Sequence, residues 1–263
     1  MYDLQEIRYF VEQLHSEFYS PKISDDKWKY AKQELQKKYG KSSKIEIVNR
    51  LIKDFEETNK SGRYKSDLDL FIRESKLEDF LEQDGETIFV STMHKAKGRE
   101  FDNIFLHLED FTLASDEEKR LLYVAMTRAK RNLYIHSDKP YWNHVDMKTI
   151  QKIENCNAYG APDELCLHLG HKDVWLNFFR NRQRYIDGLT SGDELVFEGD
   201  TCFTVQKEPV LKFSTNFGEK LEALQSKGYM LKTIKVNFVV YWKCDENKEV
   251  KIILPELVLR KLS

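Results

Sequence analysis

The side chains best suited to chemistry stand in a polar loop at residues 92–100, directly after a short apolar run that predicts a buried strand. The loop combines a hydroxyl, an imidazole, a cation, a glycine and a carboxylate: Thr92, His94, Lys97, Gly98 and Glu100. Open parallel sheets bind ligands at the carboxyl ends of their strands, where backbone amides, cations and glycine meet phosphates and sugars. The loop is therefore a candidate ligand site, and an ordinary solvated turn is the alternative.

Arg128 is the second candidate, because its predicted position is unusual for a cation. A helix that begins at Asp116 would place Arg128 within its apolar arc. That arc is formed by Leu121, Val124 and Ala125. Burial of an unpaired guanidinium is costly, so Arg128 needs a carboxylate partner or an anionic ligand such as phosphate. A structural ion pair and an anion site both stay open at this point.

Four helices are predicted ahead of these segments, because apolar residues recur at steps of three and four between residues 3 and 84. They are 4–18, ended by Pro21; 25–39, closed by Gly40; a third that opens at Ser42 or Ser43 and runs through Phe55; and a fourth from 68 that ends at Gly85.

Three short β-rich runs then predict an α/β unit with a mostly parallel sheet. The runs are 87–92, 103–108 and 132–136, and a helix separates the last two. That helix starts with a capping box, because Ser115 is followed three residues later by Glu118.

A linker and a small β-rich module are predicted for the rest of the chain. The polar stretch up to 170 contains Pro162, with a short helix near 146–154. The module contains a hairpin turned at 198–200, a helix at 217–227 closed by Gly228, and strands at 234–242 and 249–254, the second ended by Pro255. The predicted domains are therefore 1–85, 86–145, the linker 146–170, and 171–263, an antiparallel sheet or barrel with one helix.

Length and composition limit the class of protein. A chain of 263 residues, 41% hydrophobic and 33% charged, can build about two domains. No stretch approaches the roughly 20 apolar residues of a membrane span and the start lacks a secretory signal, so we expect a cytoplasmic protein. Since the formal net charge is −2, any nucleic-acid site must be local. The four cysteines form no C-x-x-C pair, so we expect reduced thiols and no metal site; they are Cys156, Cys166, Cys202 and Cys244.

The loop and the arginine helix together resemble two motifs of the UvrD/Rep/PcrA family of superfamily 1 DNA helicases. The sequence V-S-T-M-H-K-A-K-G-R-E-F at residues 90–101 is similar to the family's fifth motif, and E-E-K-R-L-L-Y-V-A-M-T-R-A-K at 117–130 to the sixth. Order, spacing and the intervening strand agree over about residues 87–136. The resemblance implies an α/β fold with a partial RecA-like P-loop NTPase domain, and ATP held between two such domains.

The resemblance also implies roles for single residues. Arg128 would be the catalytic cation that reaches the ATP γ-phosphate and stabilises the charge spread over it. Glu100 would accept hydrogen bonds from the ribose, and Gly98 would allow close backbone approach to the nucleotide.

The contacts with DNA are implied in the same way. Thr92 and His94 would lie on the path that couples the nucleotide to single-stranded DNA, with Lys97 on the same loop. Tyr123 and Thr127 would position the arginine.

Two parts of a complete helicase are missing from this sequence. A phosphate loop, G-x-x-x-x-G-K-[ST], would cradle the phosphates, and an acidic pair would hold Mg²⁺. The Gly-Lys-Ser at residues 40–42 has Leu35 in place of the first glycine and follows a helix, so we interpret it as chance. The family's fourth motif is also absent. We therefore expect no ATP hydrolysis by this chain alone. ATP would bind between this chain and a separate N-terminal RecA-like half, and that half would hold the Mg²⁺.

The flanking segments are assigned by their place in the family. Residues 1–85 correspond to the end of an inserted helical subdomain, and the last module to a small SH3- or Tudor-like barrel. That module also resembles the tail of large bacterial RecQ-type helicases at 192–195 and 253–257. Three arginines among aromatic residues could contact DNA, although a charged helix face is the alternative: Arg180, Arg182 and Arg184, beside Phe178, Phe179 and Tyr185.

Our hypothesis is that the chain is the C-terminal part of an ATP-dependent DNA helicase of replication or repair. Its partners would be single-stranded or duplex DNA, the N-terminal ATPase half and a repair protein bound by the last module. The alternative is a non-catalytic module that keeps a helicase-like fold to bind DNA or a protein.

Overall fold

Two compact units make up the described part of the chain. The computed structural model describes residues 1–15, 20–77, 80, 88–94, 96, 98–109, 111–142, 151–154, 159–245 and 248–262. One unit combines Met1–Leu81 with Gly160–Ser263, and the other is Glu82–Tyr159. The first unit thus joins the predicted helical segment to the predicted C-terminal module. Among the described helices, none has the length and apolar character needed to cross a membrane.

Four helices open the first unit: α1 Gln5–His15, α2 Asp25–Tyr39, α3 Ile45–Thr58 and α4 Lys65–Glu74. Two short strands, β1 Lys22–Ile23 and β2 Arg63–Tyr64, pair antiparallel between them. The bounds predicted for α2 are confirmed, because the Ser24 hydroxyl accepts a hydrogen bond from the Lys27 N–H at the helix start. Gly40 follows its last residue.

One predicted helix start is two or three residues too early, and one predicted helix end lies beyond the observed end. α3 begins at Ile45, because the Ser42 hydroxyl donates to a carboxylate oxygen of Glu6 at 2.6 Å instead of capping that helix. α4 ends at Glu74, where the Ser75 hydroxyl donates to the Phe71 carbonyl at 2.7 Å. The remainder of that prediction falls partly outside the described residues, as does the end of the first helix at 16–18.

Aromatic side chains fill the centre of the helical part. Phe10 and Phe55 are fully buried, and the ring of Trp28 lies between them at 5.1 Å and 5.7 Å between centroids. The 5.1 Å pair meets edge to face, the arrangement that aromatic quadrupoles favour.

An antiparallel sheet of six strands forms the rest of the first unit. Its strands are β5 Glu164–His168, β6 Glu194–Glu198, β7 Thr201–Phe203, β8 Pro209–Lys212, β9 Tyr229–Asp245 and β10 Lys248–Lys261, in the order β5-β10-β9-β6-β7-β8. A short helix α6, Gln183–Ile186, precedes β6, and α7, Thr215–Ser226, follows β8. The hairpin predicted at 198–200 is confirmed, with Gly199 at a φ of +66°.

The structure corrects two predictions in this sheet. Part of the predicted linker is strand β5, which pairs with the end of β10 from Glu164 to His168. β10 also continues through Pro255, where a shift in register marks a bulge. A proline tolerates this position because a bulge does not need its missing N–H.

Helices and sheet are joined within the first unit by backbone and side-chain hydrogen bonds. The Tyr241 N–H donates to the Asp3 carbonyl at 2.8 Å, and the Ser43 N–H donates to the Ser191 carbonyl at 2.8 Å. The buried Gln5 amide donates to the Leu189 carbonyl at 3.0 Å. These contacts connect chain segments more than 140 residues apart in the sequence.

The second unit is a small α/β arrangement of β3 Phe101–His107, α5 Asp116–Met126 and β4 Ala129–His136. The two strands are parallel, as predicted, with Ile104 opposite Leu133. The capping box is confirmed, because the Ser115 hydroxyl accepts from the Glu118 N–H and the Glu118 carboxylate accepts from the Ser115 N–H. Hydrogen bonds from the hydroxyl of Thr112 and then from Ser115 keep the pKa of Glu118 below its ordinary value.

The strand predicted at 87–92 is wrong over its described part. Residues 88–92 have no regular structure, and Ile88 and Val90 are 86% and 88% exposed. The described sheet of this unit contains only β3 and β4, so this run has no paired strand beside it. A segment of strand-forming residues that has no neighbouring strand to pair with exposes its backbone N–H and C=O groups to water.

Candidate functional site

Arg128 lies beyond the end of α5, so its predicted place on the apolar face of that helix is wrong. The helix ends at Met126, and Thr127 is its C-terminal cap. The Arg128 N–H still donates to the Ala125 carbonyl at 3.2 Å, while its own carbonyl accepts from the Phe101 N–H at 2.9 Å. The backbone changes direction here because Ala129 must enter β4 beside β3.

Neutral oxygen atoms hold the Arg128 guanidinium. Its Nε donates to the Val124 carbonyl at 3.1 Å, and one terminal nitrogen donates to the Thr127 hydroxyl at 3.2 Å. The Thr127 hydroxyl in turn donates to the Val124 carbonyl at 3.0 Å. Among the described residues, no carboxylate pairs with Arg128. The ion-pair alternative therefore finds no support in the described part of the chain.

The loop before β3 is held by a series of turns. The Thr92 carbonyl accepts from the Ala96 N–H at 3.3 Å, and the Ala96 carbonyl accepts from the Arg99 N–H at 3.1 Å. Gly98 has a φ of +85°, in the left-handed region that favours glycine. A side chain at Gly98 would meet no atom within 4 Å, so the backbone conformation alone requires a glycine here.

Aromatic residues on both sides of this loop stack on each other, a feature that sequence reasoning missed. The rings of Phe89 and Phe101 are 5.7 Å apart and nearly parallel, and the Arg99 guanidinium lies 5.0 Å above the Phe89 ring. The pair closes the base of the loop. The sequence signal was present as one phenylalanine on each side of the polar run.

Glu100 stands at the last position before β3, exposed to solvent. Its carboxylate lies 3.7 Å from the Lys130 ammonium, and the neighbouring Asp102 lies 3.8 Å from Arg131. Exposed pairs of this kind add at most about 1 kcal/mol, so the Glu100 carboxylate can exchange its partner for a ligand hydroxyl at small cost.

The structure brings the backbones of Glu100 and Arg128 to one edge of the two-stranded sheet, and Gly98 lies two residues before Glu100 in the loop. The bond between Phe101 and Arg128 joins the first residue of β3 to the residue before β4, and parallel strands begin at the same edge. This is the amino-terminal edge of both strands, so the predicted place of the loop at the carboxyl end of a strand is wrong over the described residues. Thr92 and His94 are exposed on the preceding segment, and Lys97 lies outside the described residues.

A comparison with protein families identifies the family of this chain. The profile of the UvrD-like helicase C-terminal domain matches residues 5–139, just over half of the chain. The chain belongs to this family. The α/β unit around Arg128 is the partial RecA-like domain of this UvrD-like segment.

Relatives of this chain include two proteins that are named DNA helicases and one subunit of the RecBCD enzyme. The chain is 28% identical to the DNA helicase II of Rickettsia typhi over 159 residues, which are 52% of this chain and 22% of that protein. It is 32% identical over 98 residues to the ATP-dependent DNA helicase srs2 of Schizosaccharomyces pombe, covering 34% and 11% of the two chains. It is 33% identical over 130 residues to the RecBCD enzyme subunit RecB of Chlamydia pneumoniae, covering 47% and 11%.

The chain therefore spans about a fifth of the length of the DNA helicase II that it matches. No solved structure matches it significantly. The family match ends at residue 139, so the β-rich module lies outside it.

The arginines of this β-rich module have partners of their own. Arg180 donates to the Cys244 carbonyl at 3.2 Å and pairs with Asp245 at 3.3 Å. Phe179 is fully buried, so it is not available to contact DNA. The guanidinium of Arg182 lies 5.3 Å above the Phe178 ring and that of Arg184 lies 4.9 Å above the Tyr185 ring. Contact between these last two pairs and DNA stays a prediction.

Proposed function

We propose that this chain is the C-terminal part of an ATP-dependent DNA helicase, in which it completes the ATP site of a separate N-terminal RecA-like half. The observation that carries the proposal is the guanidinium of Arg128, held by two neutral oxygens at the sheet edge where Gly98 and Glu100 also lie. Family membership and the helicase names of the relatives support the same reading.

Arg128 is suited to bind an anion. A guanidinium has five N–H donors, and the described hydrogen bonds occupy two of them. The Val124 and Thr127 oxygens fix the plane of the group without neutralising its charge. A preorganised cation of this kind stabilises charge that spreads over a transferred phosphoryl group. Arg128 would therefore act as the arginine finger of the composite site.

Glu100 and Gly98 would bind the sugar end of the nucleotide. The exposed carboxylate of Glu100 is an acceptor for ribose hydroxyls, and Lys130 keeps a positive charge beside it at 3.7 Å. Gly98 keeps the loop in its left-handed turn and leaves open space where a side chain would stand. The bound ATP and its Mg²⁺ would supply the phosphoryl group and the metal charge, held by the N-terminal half.

Thr92, His94 and Lys97 would contact single-stranded DNA. Thr92 and His94 are exposed on the segment that leads into the nucleotide loop. The proposed DNA contacts and the proposed nucleotide contacts thus lie within one short loop, so a movement of the loop on ATP binding would reach both. We further propose a cytoplasmic protein that acts in DNA replication or repair and reaches a repair partner through its β-rich module.

The first test is the reading frame upstream of Met1. A strand followed by G-x-x-x-x-G-K-[ST], with an acidic pair beyond it, supports the proposal. In the protein that contains both halves, we expect Arg128→Ala to lower DNA-stimulated ATP turnover by roughly 10³-fold or more while single-stranded DNA binding is kept. Arg128→Lys should also fail, because an ammonium lacks the planar fork of donors.

Arg131→Ala is the matched control, because Arg131 is exposed, follows three residues later and pairs only weakly with Asp102 at 3.8 Å. Its turnover should equal that of the unchanged protein. Equal turnover in Arg128→Ala would contradict the arginine-finger role. DNA binding that no nucleotide alters, in the protein with both halves, would favour the alternative of a non-catalytic binding module.

A further inference from the structure

Three potential metal ligands of different chemistry converge on the outer face of strands β5 and β10. They are the thiol of Cys166, the imidazole of His168 and the carboxylate of Glu256. One ligand atom from each lies within 4.8 Å of the other two. Cys166 and His168 are two residues apart on β5, so their side chains point to the same face, and Glu256 is directly opposite His168 in the antiparallel register. The backbone register alone therefore brings the three groups together.

We propose that Cys166, His168 and Glu256 form a three-ligand site for a divalent transition metal ion, of which Zn²⁺ is the best fit. Thiolate, imidazole and carboxylate are the ligands that Zn²⁺ accepts, whereas Mg²⁺ and Ca²⁺ require oxygen ligands throughout. Cys166 and His168 are exposed, so the fourth position of a tetrahedral ion would open to solvent.

The distance between two of the ligand atoms fits the coordination geometry. The His168 Nε2 lies 3.3 Å from a carboxylate oxygen of Glu256. Two ligands at about 2.0–2.2 Å from a Zn²⁺ ion, at the tetrahedral angle, are about 3.3–3.6 Å apart. The Cys166 sulfur has to come within about 3.6 Å of both for a zinc–sulfur bond of about 2.3 Å. Since the three ligand atoms already lie within 4.8 Å of one another, we expect the exposed Cys166 side chain to rotate when the metal binds.

Asn237 supplies the outer support that metal-binding histidines need. Its amide lies 3.2 Å from the His168 Nδ1, the ring nitrogen that faces away from Glu256. Asn237 is only 7% exposed, which is unusual for an amide on a sheet surface. The amide oxygen can accept from Nδ1–H when the amide turns over, and this leaves Nε2 free to bind a metal.

A bulge in the sheet puts Asn237 in this place. In the pairing of β9 with β10, Pro255 is opposite Val236 and Leu254 is opposite Phe238, so Asn237 is the extra residue. Bulges redirect a side chain, and here the redirected side chain contacts His168 on a strand two positions away. The bulge and the three ligands are separate features that converge on one imidazole.

The charges around the site are mixed. Glu164, two residues before Cys166, pairs with Arg260 at 4.0 Å, and Lys235 is opposite Glu256 but pairs with Glu194 at 3.4 Å. Glu256 also lies near the Lys44 ammonium. Burial lowers the pKa of Lys44, and the negative charge of Glu256 raises it by less. Lys44 and Lys235 thus both place positive charge near Glu256.

Co²⁺ is the direct probe, because a thiolate bound to Co²⁺ produces a charge-transfer absorption. Titration of the whole chain under reducing conditions should give this absorption at one equivalent, and Zn²⁺ should remove it by displacement. Cys166→Ser should abolish the absorption, and His168→Gln and Glu256→Gln should each weaken binding by at least tenfold. Asn237→Ala should weaken it by about 10–100-fold.

Two other cysteines provide matched controls. Cys244→Ser removes a half-buried thiol at the other end of β9, where its sulfur lies 3.2 Å from the Lys248 carbonyl. Cys156→Ser removes a thiol that lies outside the described residues. Both control variants should keep the absorption and the affinity. The midpoint of thermal unfolding should be unchanged in all the variants, including those of the ligands. An absorption that survives in Cys166→Ser overturns the proposal, and so does the absence of binding at micromolar Co²⁺ and Zn²⁺.

Discussion

The backbone carbonyl of Arg128 accepts a hydrogen bond of 2.9 Å from the backbone N–H of Phe101. This bond joins the residue before β4 to the first residue of β3. It keeps the backbones of Glu100 and Arg128 at one edge of the sheet, although Arg128 is 28 residues after Glu100 in the sequence. Under the function proposed above, a change that repositions Arg128 should lower ATP turnover in the protein that contains both halves.

Thr127→Val tests this positioning in the helicase that contains both halves. The change removes the hydroxyl that accepts from the Arg128 guanidinium at 3.2 Å, and keeps the shape of the side chain. A hydrogen bond at an exposed charged group is worth about 1 kcal/mol, so we expect kcat for ATP to fall about threefold to tenfold with little change in KM. Thr127→Ser keeps the hydroxyl and should restore turnover, and a loss in that variant too would argue against a positioning role.

Ser115→Ala should destabilise the α/β unit by about 1 kcal/mol, because it removes the hydroxyl that accepts from the Glu118 N–H at 3.1 Å. Hydrogen exchange of the α5 amides measures this change within the unit itself. Ser115→Thr keeps the acceptor and should exchange like the unchanged chain. Equal protection in Ser115→Ala would show that the capping box contributes nothing measurable.

Glu6→Gln should alter how stability depends on pH. The Glu6 carboxylate is buried and accepts from the Ser42 and Ser191 hydroxyls at 2.6 Å and 3.4 Å, while its second oxygen has no described partner. Burial raises the pKa of Glu6 above its ordinary value, and the Ser42 bond, the Ser191 bond and Lys44 lower it by less.

The native state therefore holds this proton more tightly than the unfolded state does. Stability falls as pH rises from the ordinary glutamate pKa through the raised native pKa, and is constant above it. Urea unfolding across this window should show a smaller fall in Glu6→Gln than in the unchanged chain. Glu12→Gln, an exposed change on the same helix, should keep the original fall. Identical pH profiles for Glu6→Gln and the unchanged chain would refute the expectation.

Gln183→Ala should destabilise the first unit by about 1–3 kcal/mol. The Gln183 amide accepts from the Lys251 N–H at 2.8 Å and donates to the Lys251 carbonyl at 2.9 Å, so it takes the place of a neighbouring strand. β5 pairs with β10 only from Glu256 onward, which leaves Lys251 without a strand on that side. Denaturant unfolding measures the loss, and Gln225→Ala on the exposed face of α7 should be neutral.

Local sequence signals determined several elements of this protein. α2 starts at Ser24 and stops at Gly40, α5 starts at its capping box, and Gly199 turns a hairpin, because each of these ends depends on hydrogen bonds or backbone angles within a few residues. The two helicase motifs are equally local, so the family could be predicted from them and the profile match confirms it.

Tertiary structure decided the features that depend on distant partners. Residues 88–92 have the composition of a strand but no described neighbour to pair with, whereas β5 lies in a polar stretch and forms because β10 offers its edge. Arg128 leaves the helical periodicity because its carbonyl bonds to Phe101. The Cys166, His168 and Glu256 cluster could not be read from the sequence, since Glu256 is 88 residues beyond His168 and only the register of two antiparallel strands places it beside the other two. Periodicity reports what a segment can form, and the partners that satisfy its backbone decide whether it does.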